Sequence, residues 1–497
     1  MREKKTVFLT GGTGNMGSET VKELRERSER FRIRLLVLDT TSERKKCKRY
    51  RDDENIEIIF GNMKNKADIE RGVRGADYVL HIGALVSPMA DDHPEACMRV
   101  NYGSTVHILN AIKQQPNADE IGFVYIGTVG ETGCRMPPIH WGRCGDPIKP
   151  SMFDYYSVSK VASERAVIES GLRRWVSLRQ TGMLPVNSKG AGDPIIFHQN
   201  LNNGLEWVTS AESGRLMANV CEDRIPDYFW RNVYNIGGGE RWRWTYAEFI
   251  RRYFAAYNVR IEEILDPKDL ALFNFHGQWF TDSDRLNDIT RFRFVDPDRY
   301  FARQTETINA SLAIRFMKRF FDPATILRRS INSLKTKERG PDWMIKNHQD
   351  QWIAAFFGSV EKKGLIRSWE EGYEMITPSR IPRFLDHGYD ETKPVNELSL
   401  SDMKQAARFR GGECLSEDMR TGNLYSPLRW RCHDGHEFDA TPYLILKAGH
   451  WCPVCERKSW NFAETAKHNP FFAQVWQPIH NGEDAVFIPK MVSEERF

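Results

Sequence analysis

The sequence contains no run of about 18 apolar residues, so no membrane-spanning helix is expected. Its opening stretch, MREKKTVFLTGG, has only a short apolar run before the first glycine, too little for a secretory leader. It is also short of net charge. Lys and Arg total 71 against 67 Asp and Glu, which leaves +4 over 497 residues and no large field toward nucleic acid or an anionic membrane. A disulfide framework is missing too. Of nine cysteines, Cys47, Cys97, Cys134, Cys144 and Cys221 are scattered, and Cys414, Cys432, Cys452 and Cys455 gather late in the chain. An odd, uneven set fits a reducing compartment with one metal site, so a cytoplasmic location is expected. Internal repeats and low-complexity segments are absent. What the chain does have is 40% hydrophobic and 12% aromatic residues, ample for packed cores, and a length that implies two or three domains.

The first 180 residues alternate short β-branched runs with helical patterns. TVFLT (6–10), IRLLVLD (33–39), IEIIFG (56–61), DYVLHIGA (77–84), FVYIGT (123–128) and WVSLRQ (175–180) read as buried strands. Strands alternating with helices predict a doubly wound α/β domain with a parallel sheet. The expected organisation is a doubly wound α/β domain over 1–184, a second subdomain of the same unit over 185–335, a helical connecting segment over 336–405 and a small Cys- and His-rich domain over 406–497. PVNSKGAGDP (185–194) reads as loop, and DPIIFHQNLNNGLEW (193–207) as part of the substrate pocket.

TGGTGNMG (10–17) places Gly11, Gly14 and Gly17 between a strand and a helix. Gly11 permits the tight turn, Gly14 lets backbone approach a pyrophosphate, and Gly17 lets the helix pack on the strand. The helix start then offers unpaired N–H groups and a favourable dipole to an anion. Asp39 ends the second strand 22 residues after Gly17, where a carboxylate can accept bonds from ribose hydroxyls or serve only as a strand-end turn. An acid there repels a 2′-phosphate and favours NAD over NADP, although Arg44, Lys45 and Lys46 stand close enough to offset this.

MFDYYSVSK carries Tyr156 and Lys160 four apart, on one face of a helix. An ammonium beside a phenol is expected to lower the tyrosine pKa toward working pH, so that the phenol can exchange a proton with a substrate hydroxyl. At this point residues 5–300 resemble the extended short-chain dehydrogenase/reductase superfamily, in its NAD-dependent epimerase/dehydratase branch. The resemblance rests on TGGTGNMG, VLD ending at Asp39, VLHIGALVSP, VNYGSTVHILNA, YIGTVGETG, YYSVSK and LRQTGMLP. It implies Tyr156 as acid/base, Lys160 as its electrostatic partner and ribose ligand, Thr128 as the substrate-orienting hydroxyl, and Asn101 as a support for the active-site helix. Cofactor contacts are implied for Gly11, Thr13, Gly14, Asn15, Met16, Gly17, Asp39, Asn62, Met63, Ala84, Tyr156 and Lys160. His81, inside an apolar run, reads as a core histidine. In LRQTGMLP, Gly182 stands where nucleotide-sugar enzymes of the branch place a substrate-binding Asn, which argues against that substrate.

Late in the chain, WRCHDGHEF and HWCPVC bring Cys432, His436, Cys452 and Cys455 into metal-ligand spacing, and soft ligands favour Zn²⁺. The pattern resembles zinc-ribbon or treble-clef domains, and FRGGECLS makes Cys414 a rival to His436, with His433 and His450 as lesser candidates. Nine Lys/Arg against eight Asp/Glu over 401–460 give no basic face for nucleic acid, so a structural Zn²⁺ is expected. The leading expectation is an NAD-dependent oxidoreductase interconverting a secondary alcohol and a ketone. The alternatives are an epimerase or dehydratase acting on a sugar or nucleotide-sugar with retained NAD, and an NAD-sensing regulatory or nucleic-acid-binding protein. The expected partner is a small-molecule substrate, with no membrane and no nucleic acid. A homodimer is implied by the resemblance, through helices beside the sheet.

Overall fold

The computed structural model describes residues 3–186, 193–480 and 487–489. The loop read over 185–194 falls largely outside them. Seven parallel strands form one sheet: β1 (Lys5–Thr10), β2 (Phe31–Leu38), β3 (Ile56–Gly61), β4 (Tyr78–His81), β5 (Gly122–Thr128), β6 (Trp175–Gln180) and β7 (Asn232–Ile236). Their order is β7-β6-β5-β4-β1-β2-β3. This is the Rossmann-type doubly wound α/β arrangement. Six strands match the sequence reading; the seventh comes from beyond residue 184, because the substrate-side segment returns to pair with β6.

The strands read as apolar runs because both sheet faces are covered. Val7 and Leu9 pack on one face against α1 (Asn15–Arg25), and Phe8 packs on the other. Beyond α1 come α2 (Thr41–Cys47), α3 (Lys66–Val73), α4 (Pro94–Lys113), α5 (Tyr155–Ile168) and α6 (Ser210–Asn219). α6 joins α1 over the first face, while Val73, Ile112 and Val167 from α3, α4 and α5 cover the second. Phe8 and Phe123 are fully buried, each contributing about 1.5–3 kcal/mol of burial. The parting of the chain between β1 and β4 leaves a crevice at the carboxyl ends of the strands, where such sheets bind ligands.

The connecting segment is less helical than its aromatic pattern predicts. It has short helices at Pro341–Lys346, Asp350–Phe357 and Val360–Gly364, and then residues 369–394 run without helix or strand. That strap is held by side chains of the sheet domain: His140 and Trp141 both bond the Ser379 carbonyl at 2.9 Å. The helix Leu400–Phe409 then spans the expected start of the last unit at 406. Three short antiparallel strands follow, β8 (Glu413–Cys414), β9 (Leu428–Arg431) and β10 (Glu437–Ala440). Their core is continuous with the sheet's second face, joining Trp430, Tyr443 and Leu444 to Val167, Leu172 and Trp175. At the sheet edge the Tyr443 hydroxyl accepts the Val233 N–H of β7 at 2.8 Å, which covers a bare strand.

Candidate active site

The glycine loop has the geometry its sequence implies. Gly11 has φ +74°, and a Cβ there would stand 2.7 Å from the Gly83 backbone. A Cβ on Gly17 would lie 2.0 Å from the Gly11 carbonyl oxygen, whereas one on Gly14 would meet its nearest atom at 3.5 Å. Gly14 caps α1 and supplies no side-chain cap, so the first N–H groups of the helix face the crevice. Beside them a cavity of about 500 Å³ is lined by Thr13, Gly14, Asn15 and Ser18 on one side and Lys45, Lys46, Lys48 and Arg49 on the other. Oriented amides facing cations suit a pyrophosphate. Met16 is buried in the core behind the loop.

Asp39 lies just past the end of β2 and pairs with Arg44 through two hydrogen bonds of 2.6 and 3.0 Å. That guanidinium stacks over the Phe60 ring at 4.0 Å. Arg44 holds the Asp39 carboxyl below the usual carboxylate range. Thr13 donates to Glu43 of α2, which ties the glycine loop to the acidic strand end. Asn62 turns its side chain to the Lys64 N–H at 3.0 Å, Met63 stands beside Gly83 where that backbone meets Gly11, and Ala84 follows Gly83 in the chain. His81 is a satisfied core histidine, bonded to Thr10 at 2.8 Å and Ser104 at 3.2 Å, and burial pushes it down to about 3.

β5 and α5 bring Thr128, Tyr156 and Lys160 together. Asp154 caps α5 by accepting the Ser157 N–H at 2.8 Å, which sets the helix start so that Tyr156 and Lys160 share a face. The Thr128 hydroxyl contacts the Tyr156 phenol and accepts the Gly130 N–H at 3.2 Å. The Lys160 ammonium donates to the Ile126 carbonyl at 2.6 Å and sits 5.8 Å from the Tyr156 ring centre. Asn101 is fully engaged: its amide exchanges two hydrogen bonds with the Leu85 backbone at 2.8 and 3.0 Å and donates to Ser159 of α5 at 2.8 Å. It thereby fastens α4 to the loop after β4 and to α5.

The expected activation of Tyr156 is not what the geometry gives. Burial raises the phenol above its ordinary value, Asp154 and Glu131 raise it further, and the Thr128 contact opposes them. Burial also lowers Lys160 to about 8, against the attraction of Glu131. The lysine is committed to a backbone carbonyl, and the nearby carboxylates outweigh it.

Residues with no local sequence signal stand directly behind this trio. Glu131 accepts the Thr128 N–H at 2.8 Å and faces Arg179 at 3.3 Å. Arg179 grips Glu164 of α5 at 2.5 Å and donates to the Ala448 carbonyl at 2.7 Å. Glu164 also accepts from Ser177 at 2.6 Å and bonds His450 at 3.2 Å. All are fully buried. Arg179 holds Glu164 low despite its burial, whereas burial and Glu164 raise Glu131. Gly182 is explained as well. A Cβ there would come within 2.4 Å of Leu205 and 2.9 Å of the Trp207 ring, so apolar side chains fill the space.

Cys432, His436, Cys452 and Cys455 converge, with all four ligand atoms within 4.8 Å of one another. His436 Nδ1 lies 3.3, 3.8 and 3.4 Å from the three sulfurs. Three thiols and an imidazole on a tight turn and a helix start fit tetrahedral Zn²⁺. The rival ligands do not join them. Cys414 pairs with Trp430 in the strands and is buried, His433 stacks on His468 at 3.8 Å, and His450 serves Glu164.

Residues 7–210 match the model of the NAD dependent epimerase/dehydratase family. Among curated proteins, the chain is 23% identical over 222 residues to the 3 beta-hydroxysteroid dehydrogenase type 7 of Mus musculus, covering 42% of this chain and 59% of that protein. It is 25% identical over 122 residues to a UDP-N-acetylglucosamine 4,6-dehydratase (inverting) of Campylobacter jejuni, covering 22% of this chain and 33% of the other. The chain thus spans well under two thirds of these relatives. Among solved structures, a dTDP-glucose 4,6-dehydratase of Streptomyces venezuelae with NAD bound is 17% identical, with a TM-score of 0.49, over 64% of this chain and 99% of that one.

Proposed function

We propose that this chain, whose residues 7–210 match the NAD dependent epimerase/dehydratase family, is an enzyme that uses NAD to oxidise a ring alcohol to a ketone as the opening step of epimerase- or dehydratase-type chemistry. The observation that carries the reading is the juxtaposition of Thr128, Tyr156 and Lys160 beside an uncapped, glycine-lined helix start. When bound, NAD supplies the hydride acceptor. Gly11, Gly14 and Gly17 with the first amides of α1 would hold its pyrophosphate, and Asp39 its adenosine ribose. Thr128 orients the substrate oxygen. Tyr156 exchanges the hydroxyl proton, and Lys160 supplies the positive charge that the phenolate requires. The family match and the nucleotide-sugar relatives favour retained NAD over free exchange, so this reading replaces the simple alcohol dehydrogenase as the first choice.

Zn²⁺ at Cys432, His436, Cys452 and Cys455 has a structural role in this reading, because four protein ligands leave no open position. None of the nine cysteines is in a disulfide, which is in keeping with the cytoplasmic setting proposed here. A homodimer would need a face other than the outer side of α5, since Arg165 and Glu169 there already bond Trp451 and Thr441 of the same chain. The test is single-turnover reduction of NAD bound to the purified protein, followed by nicotinamide absorbance across sugar and cyclic alcohols. Tyr156→Phe is expected to slow it by about 10²–10⁴-fold. Undiminished reduction in that variant would remove the mechanism.

A further inference from the structure

Between two anchored helices the chain makes an excursion that joins none of the packed cores. The helix Pro297–Ala310 is held by Tyr300, whose hydroxyl donates to the Pro185 carbonyl at 2.8 Å, and by Phe301, which packs on Trp244. The helix Pro323–Lys335 buries Ala324, Ile331 and Leu334 in the core around Tyr246 and Ile250. The helix Leu312–Phe320 lies between them, and none of its described side chains belongs to a hydrophobic core. Leu312, Phe316 and Phe320, spaced four apart and so on one stripe, are 79%, 62% and 59% exposed. Phe321 follows at 58%, and the Phe316 and Phe320 ring centres lie 4.6 Å apart. A single exposed apolar side chain is ordinary, but a contiguous row of this kind marks an interaction surface.

The charge excess of the protein sits on the same segment. Residues 311–329 hold Arg315, Lys318, Arg319, Arg328 and Arg329 against Asp322 alone, an excess of four that equals the +4 of all 497 residues. The near-neutral total, which by itself argues against an anionic membrane, therefore conceals a local basic patch. Arg315 and Arg319 run one turn apart along the flank of the apolar stripe, and both are exposed. Neither forms an ion pair among the described residues, and Arg319 rests 5.9 Å from the Phe320 ring centre. A row of Leu and Phe edged by arginines suits a helix lying in a bilayer interface, with its rings below the headgroups and its guanidinium groups among the phosphates. Nine residues fall far short of the about 20 that span a bilayer.

We propose that Leu312–Phe320 is an in-plane anchor that docks the protein on an anionic phospholipid bilayer. Charge decides between the possible occupants of the stripe. An isologous dimer would pair this face with itself and bring two basic patches together. An anionic leaflet instead meets each guanidinium with a phosphate, and such a surface retains amphipathic helices carrying about four to eight basic residues. Because both flanking helices are fixed in packed cores, the anchor is presented without unfolding. The proposal is independent of the alcohol-oxidation reading.

The test is flotation of the full-length protein with vesicles of phosphatidylcholine alone and of an equal mixture with phosphatidylglycerol. Binding to the anionic vesicles is expected to exceed that to the neutral ones by about tenfold or more at low salt. It should fall as salt is raised. Phe316→Ser/Phe320→Ser should abolish binding by removing the inserted rings. Arg315→Gln/Arg319→Gln should weaken it by about tenfold on the anionic vesicles only. Both variants change exposed side chains, and unchanged circular dichroism and melting establish that they are folded. Absence of binding to anionic vesicles would overturn the proposal, as would equal binding to both kinds or binding indifferent to Phe316→Ser/Phe320→Ser. A lipid-free dimer that Phe316→Ser/Phe320→Ser converts to monomer would overturn it too, since a second copy would then cover the stripe.

Discussion

Two glycines of one loop carry different burdens. Gly17 cannot accept a methyl without displacing the Gly11 carbonyl, so Gly17→Ala should both destabilise the fold, by about 1–3 kcal/mol for an overpacked contact, and abolish NAD binding. Gly14→Ala has room in the folded chain and should keep its melting temperature, losing affinity only because the methyl stands where the pyrophosphate approaches. Thermal melts paired with NAD titration separate the two; equal melting losses would contradict this assignment. Lys149 and Lys160 provide a second residue-scale prediction. Burial lowers both to about 8, from an ordinary 10.5. Between those values the folded chain has released protons that the unfolded chain retains, so their contribution to stability increases with pH across that window. Below about 8 the full penalty of two buried charges is present. Denaturation at stepped pH should therefore show a rise that flattens in Lys149→Met/Lys160→Met.

Among the elements, the strand ends and the start of α5 were legible in sequence while their supports were not. Buried parallel strands are apolar runs, and a glycine loop or a Tyr–Lys pair is local, so β1 to β6, Tyr156 and Lys160 could be read directly, whereas Thr128 came only through the family resemblance. Glu131, Glu164, Arg179 and His450 meet across as many as 319 residues, between Glu131 and His450, and leave no periodic signature. The stacking of Trp352 on Phe153 was hidden for the same reason: WMIKNHQDQWIAAFF announces a helix but not what that helix faces. The network behind Thr128 makes a sharp forecast. Arg179→Met leaves Glu131 and Glu164 buried without their cation, and should cost about 3–5 kcal/mol in urea unfolding. A loss below about 1 kcal/mol would mean that water reaches these carboxylates.

At the scale of the molecule, the cysteine-rich end is joined to the sheet domain by a shared core and direct hydrogen bonds. Arg165 bonds the Trp451 carbonyl at 2.7 Å and Glu456 at 2.9 Å, one residue from Cys452 and Cys455 respectively. Metal loss should consequently be felt beyond the strands β8 to β10. On the proposal that the Cys432, His436, Cys452 and Cys455 cluster holds one Zn²⁺, chelation is expected to lower the melting of the whole protein within a single transition, and amide exchange at Thr128 should quicken along with that of 446–456. Two separate calorimetric peaks would instead mark independent domains.

Tyr443 closes the exposed side of β7, and that single contact bears on how the protein can be divided. A shortened chain ending near residue 335 would keep Thr128, Tyr156 and Lys160 yet present an unsatisfied strand and the bare apolar flank around Trp175. Such a fragment has an adhesive border, and is expected to precipitate by strand-to-strand association unless the missing portion is supplied in trans.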